Sequence, residues 1–210
     1  MTARGEVRQA GDGPRILVTV GTDHHPFDRL IAWTNAWLER HPDCAGAVYV
    51  QSGAASVAPA CPGSRFLGAD RLGVLFDSAD VIVCHGGPAS IAEAWARGHV
   101  PIVVPREPAL GEHVDDHQVE FCRKVAQAGR ISLARTPAGF CELLDQAARD
   151  PAQFRADVPV PDIDAAVARF GELVDDLVSR PASRWHPIGR RRRGESERTG
   201  FAGKAPKEHE

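Results

Sequence analysis

Short apolar runs alternate with longer amphipathic stretches along most of the chain. PRILVTVGT (14–22) is a β-branched run closing on Gly-Thr, which predicts a buried strand entering a tight turn. PFDRLIAWTNAWLERH follows, with Phe27, Leu30, Ile31, Trp33, Thr34, Trp37 and Leu38 near helical spacing and Pro26 in its first turn. Further strands are predicted at 46–53 (GAVYVQSG), 65–69 (RFLGA), 80–87 (DVIVCHGG), 101–105 (PIVVP) and 130–134 (RISLA). Helices are predicted at 70–79, from Ala89 to a stop at Gly98, at 113–129, at 139–150 and over DIDAAVARFGELVDDLVS (162–179). In the last, Ala166, Phe170, Leu173, Val174 and Leu177 form one stripe.

Strands alternating with helices of this length imply an α/β fold, a Rossmann-like parallel sheet with helices on both faces. Ligands of such sheets bind at the carboxyl ends of the strands. The sequence puts its polar and glycine-rich segments there: GTDHH, QSG, HGG and PREPALGEH.

Composition narrows the setting. No apolar run reaches the roughly 18 residues of a membrane span, and the N-terminus lacks the apolar stretch of a secretory signal, so a cytosolic protein is expected. The five cysteines are odd in number and form no CxxC pair, which reads as reduced structural thiols rather than a disulfide frame or zinc knuckle. From Arg180 onward nine Arg/Lys face four Glu, so the net charge of −3 less a tail of +5 leaves −8 on residues 1–179. The expected organisation is a flexible N-terminus (1–13), one domain (14–179) and a basic, disordered tail (180–210) that could touch anionic lipid or nucleic acid or merely solubilise the chain; the latter is preferred, and no nucleic-acid partner is expected.

The loops carry the candidate chemistry. Neither GxGxxG after the first strand nor GxxxxGK[ST] is present, which excludes the usual dinucleotide fingerprint and the Walker loop. In HGGPAS, Gly86 and Gly87 lack Cβ atoms where strand turns into helix, so backbone N–H groups can approach an anion at the positive helix end. Ser90 adds a hydroxyl, and Glu93 sits three residues on, within reach of ligand hydroxyls. Ser90 and Glu93 equally match a capping box, which needs no ligand. His113 and His117, with Asp115 and Asp116 between them, have the spacing of a metal-binding pair on one helix face, while His24 and His25 stand on a converging loop. Neither HExxH nor GxSxG occurs.

Taken in order, VTVGT, QSG, ADVIVCHGGPASIAEAWARGHVPIVVP and GEHVDDHQ resemble the C-terminal, donor-binding domain of family 28 GT-B glycosyltransferases, over about residues 15–177. The likeness is greatest to the one-domain Alg13/PssE type, with MurG as a two-domain relative. The resemblance implies a UDP-sugar donor and no metal or other cofactor. Gly21 and Thr22 would face the phosphates, with His85, Gly86, Gly87, Ala89 and Ser90 at the diphosphate turn. Glu93 would hold the ribose and the backbone at Leu67 would read the uracil. His117 and Gln118, with His113 and Asp115 beside them, would meet the donor sugar; the two-domain relative has Gln-Gln where this chain has His117-Gln118. The resemblance further implies a split enzyme with a membrane-anchored subunit of Alg14 or PssD type and a polyprenyl-linked acceptor in surface-glycan synthesis. The chain would then be cytoplasmic and peripheral to the membrane. The general base would come from the partner or from His24 or His25. Arg106 is a candidate for pairing with a uronate donor. A nucleotide-sugar module without turnover and a metal-dependent hydrolase are the rival readings.

Overall fold

A computed structural model describes residues 15–156. Six strands form one parallel sheet: β1 (Ile16–Thr19), β2 (Val48–Gln51), β3 (Gly63–Ser64), β4 (Val81–His85), β5 (Ile102–Val104) and β6 (Ser132–Leu133). Five α-helices connect or follow them: α1 (Asp28–Arg40), α2 (Ala69–Ser78), α3 (Pro88–Ala96), α4 (His117–Gln127) and α5 (Pro137–Arg149). The strand order is β3-β2-β1-β4-β5-β6, so the chain winds outward from β1 in one direction and then from β4 in the other. Such a reversal opens a crevice at the carboxyl ends of the two central strands.

The strands are apolar on both sides because both faces are covered. Ile16, Val18 and Val20 point to one face and pack with Leu30, Ile31 and Trp37 of α1 and Phe140 and Leu144 of α5. Leu17, Ile82, Cys84 and Val103 point to the other and pack with Phe76 of α2, Ile91 and Ala94 of α3 and Cys122 of α4. One residue of register shift would send each set to the wrong helices, and this locks the pairing of Ile16 with both Val48 and Val81. All five cysteines are free thiols.

Three predicted elements are moved by the tertiary structure. RFLGA is not a strand; pairing with β2 falls on Gly63–Ser64 instead, where Gly63 closes against the Val50 carbonyl so tightly that a Cβ would collide with it. The helix expected at 113–129 begins only at His117, because residues 108–116 are spent on a 3-10 turn at Pro108–Leu110 and a loop. The helix after HGG starts at Pro88 with Gly87 as its N-cap, so Ser90 lies inside the first turn rather than at its cap. The predicted helix at 162–179 and the basic tail lie outside the described residues.

Candidate functional site

The loops after β1, β2, β3, β4 and β5 all emerge at the carboxyl edge, and one buried side chain ties three of them together. Gln51, at the end of β2, accepts from Thr19 Oγ1 (2.6 Å) and from the Gly21 N–H (3.1 Å). Its amide nitrogen donates to the carbonyls of Gly21 (2.9 Å) and Arg65 (2.8 Å). The Gly21 turn, whose φ of 79° suits glycine, is thereby fixed relative to the strand exit that leads to Leu67.

At the crevice between β1 and β4 lies His85. A Cβ on Gly21 would come within 2.6 Å of His85 Nε2, and one on Gly87 within 2.7 Å. Both glycines are therefore required by the imidazole between them. Gly86 serves a different neighbour: its Cβ would meet Cys122 Sγ at 2.8 Å and Gln118 Cβ at 3.1 Å. Burial, helped by the charges of Arg106 and His113 and opposed by Asp23, pushes His85 down to about 4, and its Nδ1 is buried without a hydrogen-bond partner. His85 is neutral at neutral pH and presents no cation at the crevice. Positive potential must come from α3, which has no side-chain N-cap; with Pro88 at N1, the first available N–H groups are those of Ala89 and Ser90.

The capping box is not formed. Glu93 instead pairs with Arg97 Nη1 at 2.7 Å along the helix, and Arg97 Nε donates to Asp77 at 2.6 Å. Glu93 thus stands in the second turn of α3 with one carboxylate oxygen engaged, and Ser90 stands one turn closer to the crevice.

The loop after β5 is built of buried charge. Arg106 is fully buried; Nη1 donates to the carbonyls of His25 (2.9 Å) and Glu112 (3.0 Å), and Nη2 to the carbonyl of Val20 (2.9 Å). Its guanidinium lies 4.7 Å from the Phe27 ring centroid. This overturns the uronate pairing expected for Arg106, because the guanidinium is fully buried with both Nη atoms directed to main-chain carbonyls and Nε enclosed without a partner. Glu112 receives Arg29 in a two-pronged pair, 2.9 and 2.7 Å, and also accepts from the Glu107 N–H at 2.9 Å. Gln118 Oε1 lies 3.4 Å from the Arg106 N–H and packs on Gly86, which joins GEHVDDHQ to HGG.

His113 and His117 do not share a helix face, since His113 precedes α4, and the pair on which the hydrolase reading stood is therefore not formed. His117 is 87% exposed, and its Nδ1 lies 2.8 Å from Asp115 Oδ1, which raises its pKa. His113 turns toward the loop after β1, 3.9 Å from Asp23 Oδ2, with its ring centroid 6.2 Å from that of His25. In that loop Asp23 Oδ1 accepts from the main-chain N–H of His25 (2.8 Å) and lies 2.7 Å from its Nδ1. Burial works to raise the Asp23 pKa, but these two bonds and the Arg106 charge hold it at about 2. His24 is 86% exposed against 23% for His25, so only His25 is held in one orientation. Thr22 is exposed beside them, and Leu67 lies just before Gly68, the N-cap of α2.

Gln51, Asp23, Arg29 and Glu112 are absent from the residues singled out by motif. Only GTDHH and QSG as whole loops pointed toward the first two; nothing in the local sequence pairs Arg29 with a residue 83 positions away.

Comparison with known proteins gives a consistent placement. The model of the glycosyltransferase family 28 C-terminal domain matches residues 15–153. The UDP-N-acetylglucosamine--N-acetylmuramyl-(pentapeptide) pyrophosphoryl-undecaprenol N-acetylglucosamine transferase of Bdellovibrio bacteriovorus is 44% identical over 59 residues, 27% of this chain and 15% of that enzyme. Among solved structures, CalG4, the calicheamicin glycosyltransferase, superimposes with a TM-score of 0.53 at 18% identity, covering 84% of this chain and 47% of that one. The solution structure of ALG13 gives a TM-score of 0.49 at 14% identity, covering 77% of this chain and 95% of that one. The likeness to CalG4 is one of fold, and the chain spans less than half of its length.

Proposed function

The chain belongs to the family of glycosyltransferase family 28 C-terminal domains, and on that premise we propose that it binds a UDP-sugar at the β4–α3 turn and acts as the donor half of an inverting glycosyltransferase. The observation that carries this reading is the uncapped start of α3, placed at the crevice between β1 and β4 where the loops around Gly21, Leu67 and Gln118 converge. The N–H groups of Ala89 and Ser90 receive the diphosphate, the Ser90 hydroxyl adds a donor, and the open oxygen of Glu93 takes the ribose hydroxyls.

In the reaction, an acceptor hydroxyl oxygen attacks the anomeric carbon, the bond from that carbon to the UDP oxygen breaks, and the hydroxyl proton passes to a base. The charge that grows on UDP falls at the helix end; losing one such preorganised donor typically costs about 2.7 to 4 kcal/mol in the transition state. His25 is favoured over His24 as the base contributed by this chain. Asp23 at Nδ1 fixes the ring and leaves Nε2 to take the proton, with Asp23 as the positioning residue. No metal is needed for these steps.

A second subunit of Alg14 or PssD type is proposed, on the family resemblance, to bring the acceptor, a polyprenyl-linked sugar in surface-glycan synthesis; the match covers 47% of CalG4 and 15% of the Bdellovibrio transferase. Among the described residues no helix is long and apolar enough to cross a membrane, which suits attachment through that partner.

Calorimetry with UDP and with UDP-N-acetylglucosamine tests the site. One nucleotide per chain is expected, and Glu93→Ala should weaken UDP at least about tenfold, the loss of a charged hydrogen bond. Absence of UDP binding, or UDP affinity unchanged from the unaltered protein in both Glu93→Ala and Ser90→Ala, would overturn it. If nucleotide binds but mixing with the candidate partner yields no transfer to membrane lipid extract, the non-catalytic module is the better reading.

A further inference from the structure

The histidines re-sort in three dimensions. His113, spaced in sequence to pair with His117, instead faces the loop that carries Asp23, His24 and His25. Asp23 Oδ1 lies 2.7 Å from His25 Nδ1 and 3.5 Å from His24 Nδ1, while Oδ2 lies 3.9 Å from His113 Nε2. The ligating atoms of Asp23, His24 and His25 all lie within 4.8 Å of one another. A tetrahedral zinc ion with bonds of about 2.1 Å holds its ligand atoms about 3.4 Å apart, so these three atoms stand near coordination distance, and His113, outside that group, has to close in from the facing loop. We propose that Asp23, His24, His25 and His113 form a binding site for one divalent transition ion of the zinc class.

The donor set argues for that class of ion. Three imidazoles and one carboxylate suit zinc, cobalt or nickel and disfavour magnesium and calcium, which need mostly oxygen ligands. The frame is held from outside the cluster: the His25 carbonyl is gripped by Arg106 Nη1 at 2.9 Å, and the Asp23 carboxylate is aimed by the His25 main-chain N–H at 2.8 Å. His113 Nδ1 accepts from the Asp115 main-chain N–H at 3.4 Å, a contact that holds the ring in the loop facing Asp23. His24, exposed, is the one ligand free to swing in. The opposing charge is Arg106, whose Nη donors are already directed to three carbonyls.

The ion would act on the proposed chemistry as a competitor. An ion on His25 Nδ1 forces that ring's proton onto Nε2, the nitrogen assigned to take the acceptor proton, so the bound metal would silence the base. This consequence rests on the glycosyltransferase reading; ion binding itself does not.

The test uses the full chain. Titration with zinc chloride by calorimetry, and with cobalt chloride by visible absorption, is expected to show one ion per chain with the ligand-field bands of four-coordinate cobalt. Asp23→Asn and His113→Gln should each weaken the ion at least tenfold, whereas His117→Gln and the double variant His186→Gln/His209→Gln should leave it unchanged. Binding that survives Asp23→Asn/His25→Gln, or no saturable binding, would sink the proposal. Should a variant fail to fold, imidazole nitrogen NMR of the unaltered protein decides: zinc must shift Nδ1 of His24 and His25 and Nε2 of His113, and resonances that stay put overturn the site. UDP calorimetry on the same sample reports separately on the nucleotide site.

Discussion

The turn after β4 and the loop after β5 leave neighbouring strands at the same sheet edge, yet they are held by opposite means. The first is made of bare backbone: Gly86 and Gly87 shed their side chains so that His85, Gln118 and Cys122 can close in, and α3 begins with no side-chain cap. The second is made of buried charge: Arg106 grips three carbonyls, and Glu112 holds Arg29 and its own loop. The uncapped turn keeps its donors available to a ligand, while the charged loop spends its donors on holding the edge still. The proposed anion site and its scaffold thus divide the work between two adjacent strand ends.

That contrast can be broken most forcefully at Arg106. Arg106→Met strands the carbonyls of Val20, His25 and Glu112, and a loss of about 4 kcal/mol is expected in urea unfolding at neutral pH. A loss under about 1 kcal/mol would show that the loops stand without it. A buried charge that is kept can be set against a buried charge that is avoided. His99, beyond the far end of α3, is lowered from 6.5 to about 4 by burial and by the charge of Arg155. The unfolded chain therefore takes up this proton first as pH falls. Stability should drop by up to about 3 kcal/mol between pH 6.5 and pH 4 and change little more below that on this account. His85 is lowered over the same window, so His99→Asn should reduce the slope of unfolding free energy against pH by about half, and an unchanged slope would remove His99 as a source.

Gly87→Ala separates packing from ligand contact. Its Cβ enters the His85 ring, so about 2 kcal/mol of destabilisation is expected without any nucleotide present. In a double-mutant cycle with His85→Ala the two changes should couple by about 1 kcal/mol or more, and additive losses would mean that the glycine is there for another reason. Ser90→Ala is expected to have the smallest effect on folding. Because Ser90 is not the N-cap, thermal melting should shift by no more than about 0.5 kcal/mol, whereas a cap would cost about 1 kcal/mol. Its UDP affinity should nevertheless fall several-fold.

Much of the architecture is legible in the apolar pattern. The runs ILVT, VYVQ, VIVCH and IVV become β1, β2, β4 and β5 because a strand buried on both faces has no polar positions to spare. RFLGA misleads because a two-residue edge strand is set by pairing with β2 and not by local propensity. The candidate site is legible where its chemistry is local: GG ahead of a helix marks a turn with free backbone N–H groups, and Gln118 of GEHVDDHQ packs on Gly86 of that turn. It is illegible where a residue's role depends on what the fold brings beside it. Glu93 looks like a cap and pairs with Arg97; Arg106 looks like a ligand contact and holds main-chain carbonyls; His113 looks like the partner of His117 and turns to Asp23.

By itself, then, the sequence determined the alternation of strands and helices, the sheet edge at which its polar loops gather and the glycine turn among them, because these follow from periodicities and backbone freedoms that act over a few residues. Only the tertiary structure decided why each glycine is needed, which charges are structural and which histidines meet. Those outcomes rest on contacts between segments such as Arg29 and Glu112, or Asp23 and His113, whose approach depends on the strand order.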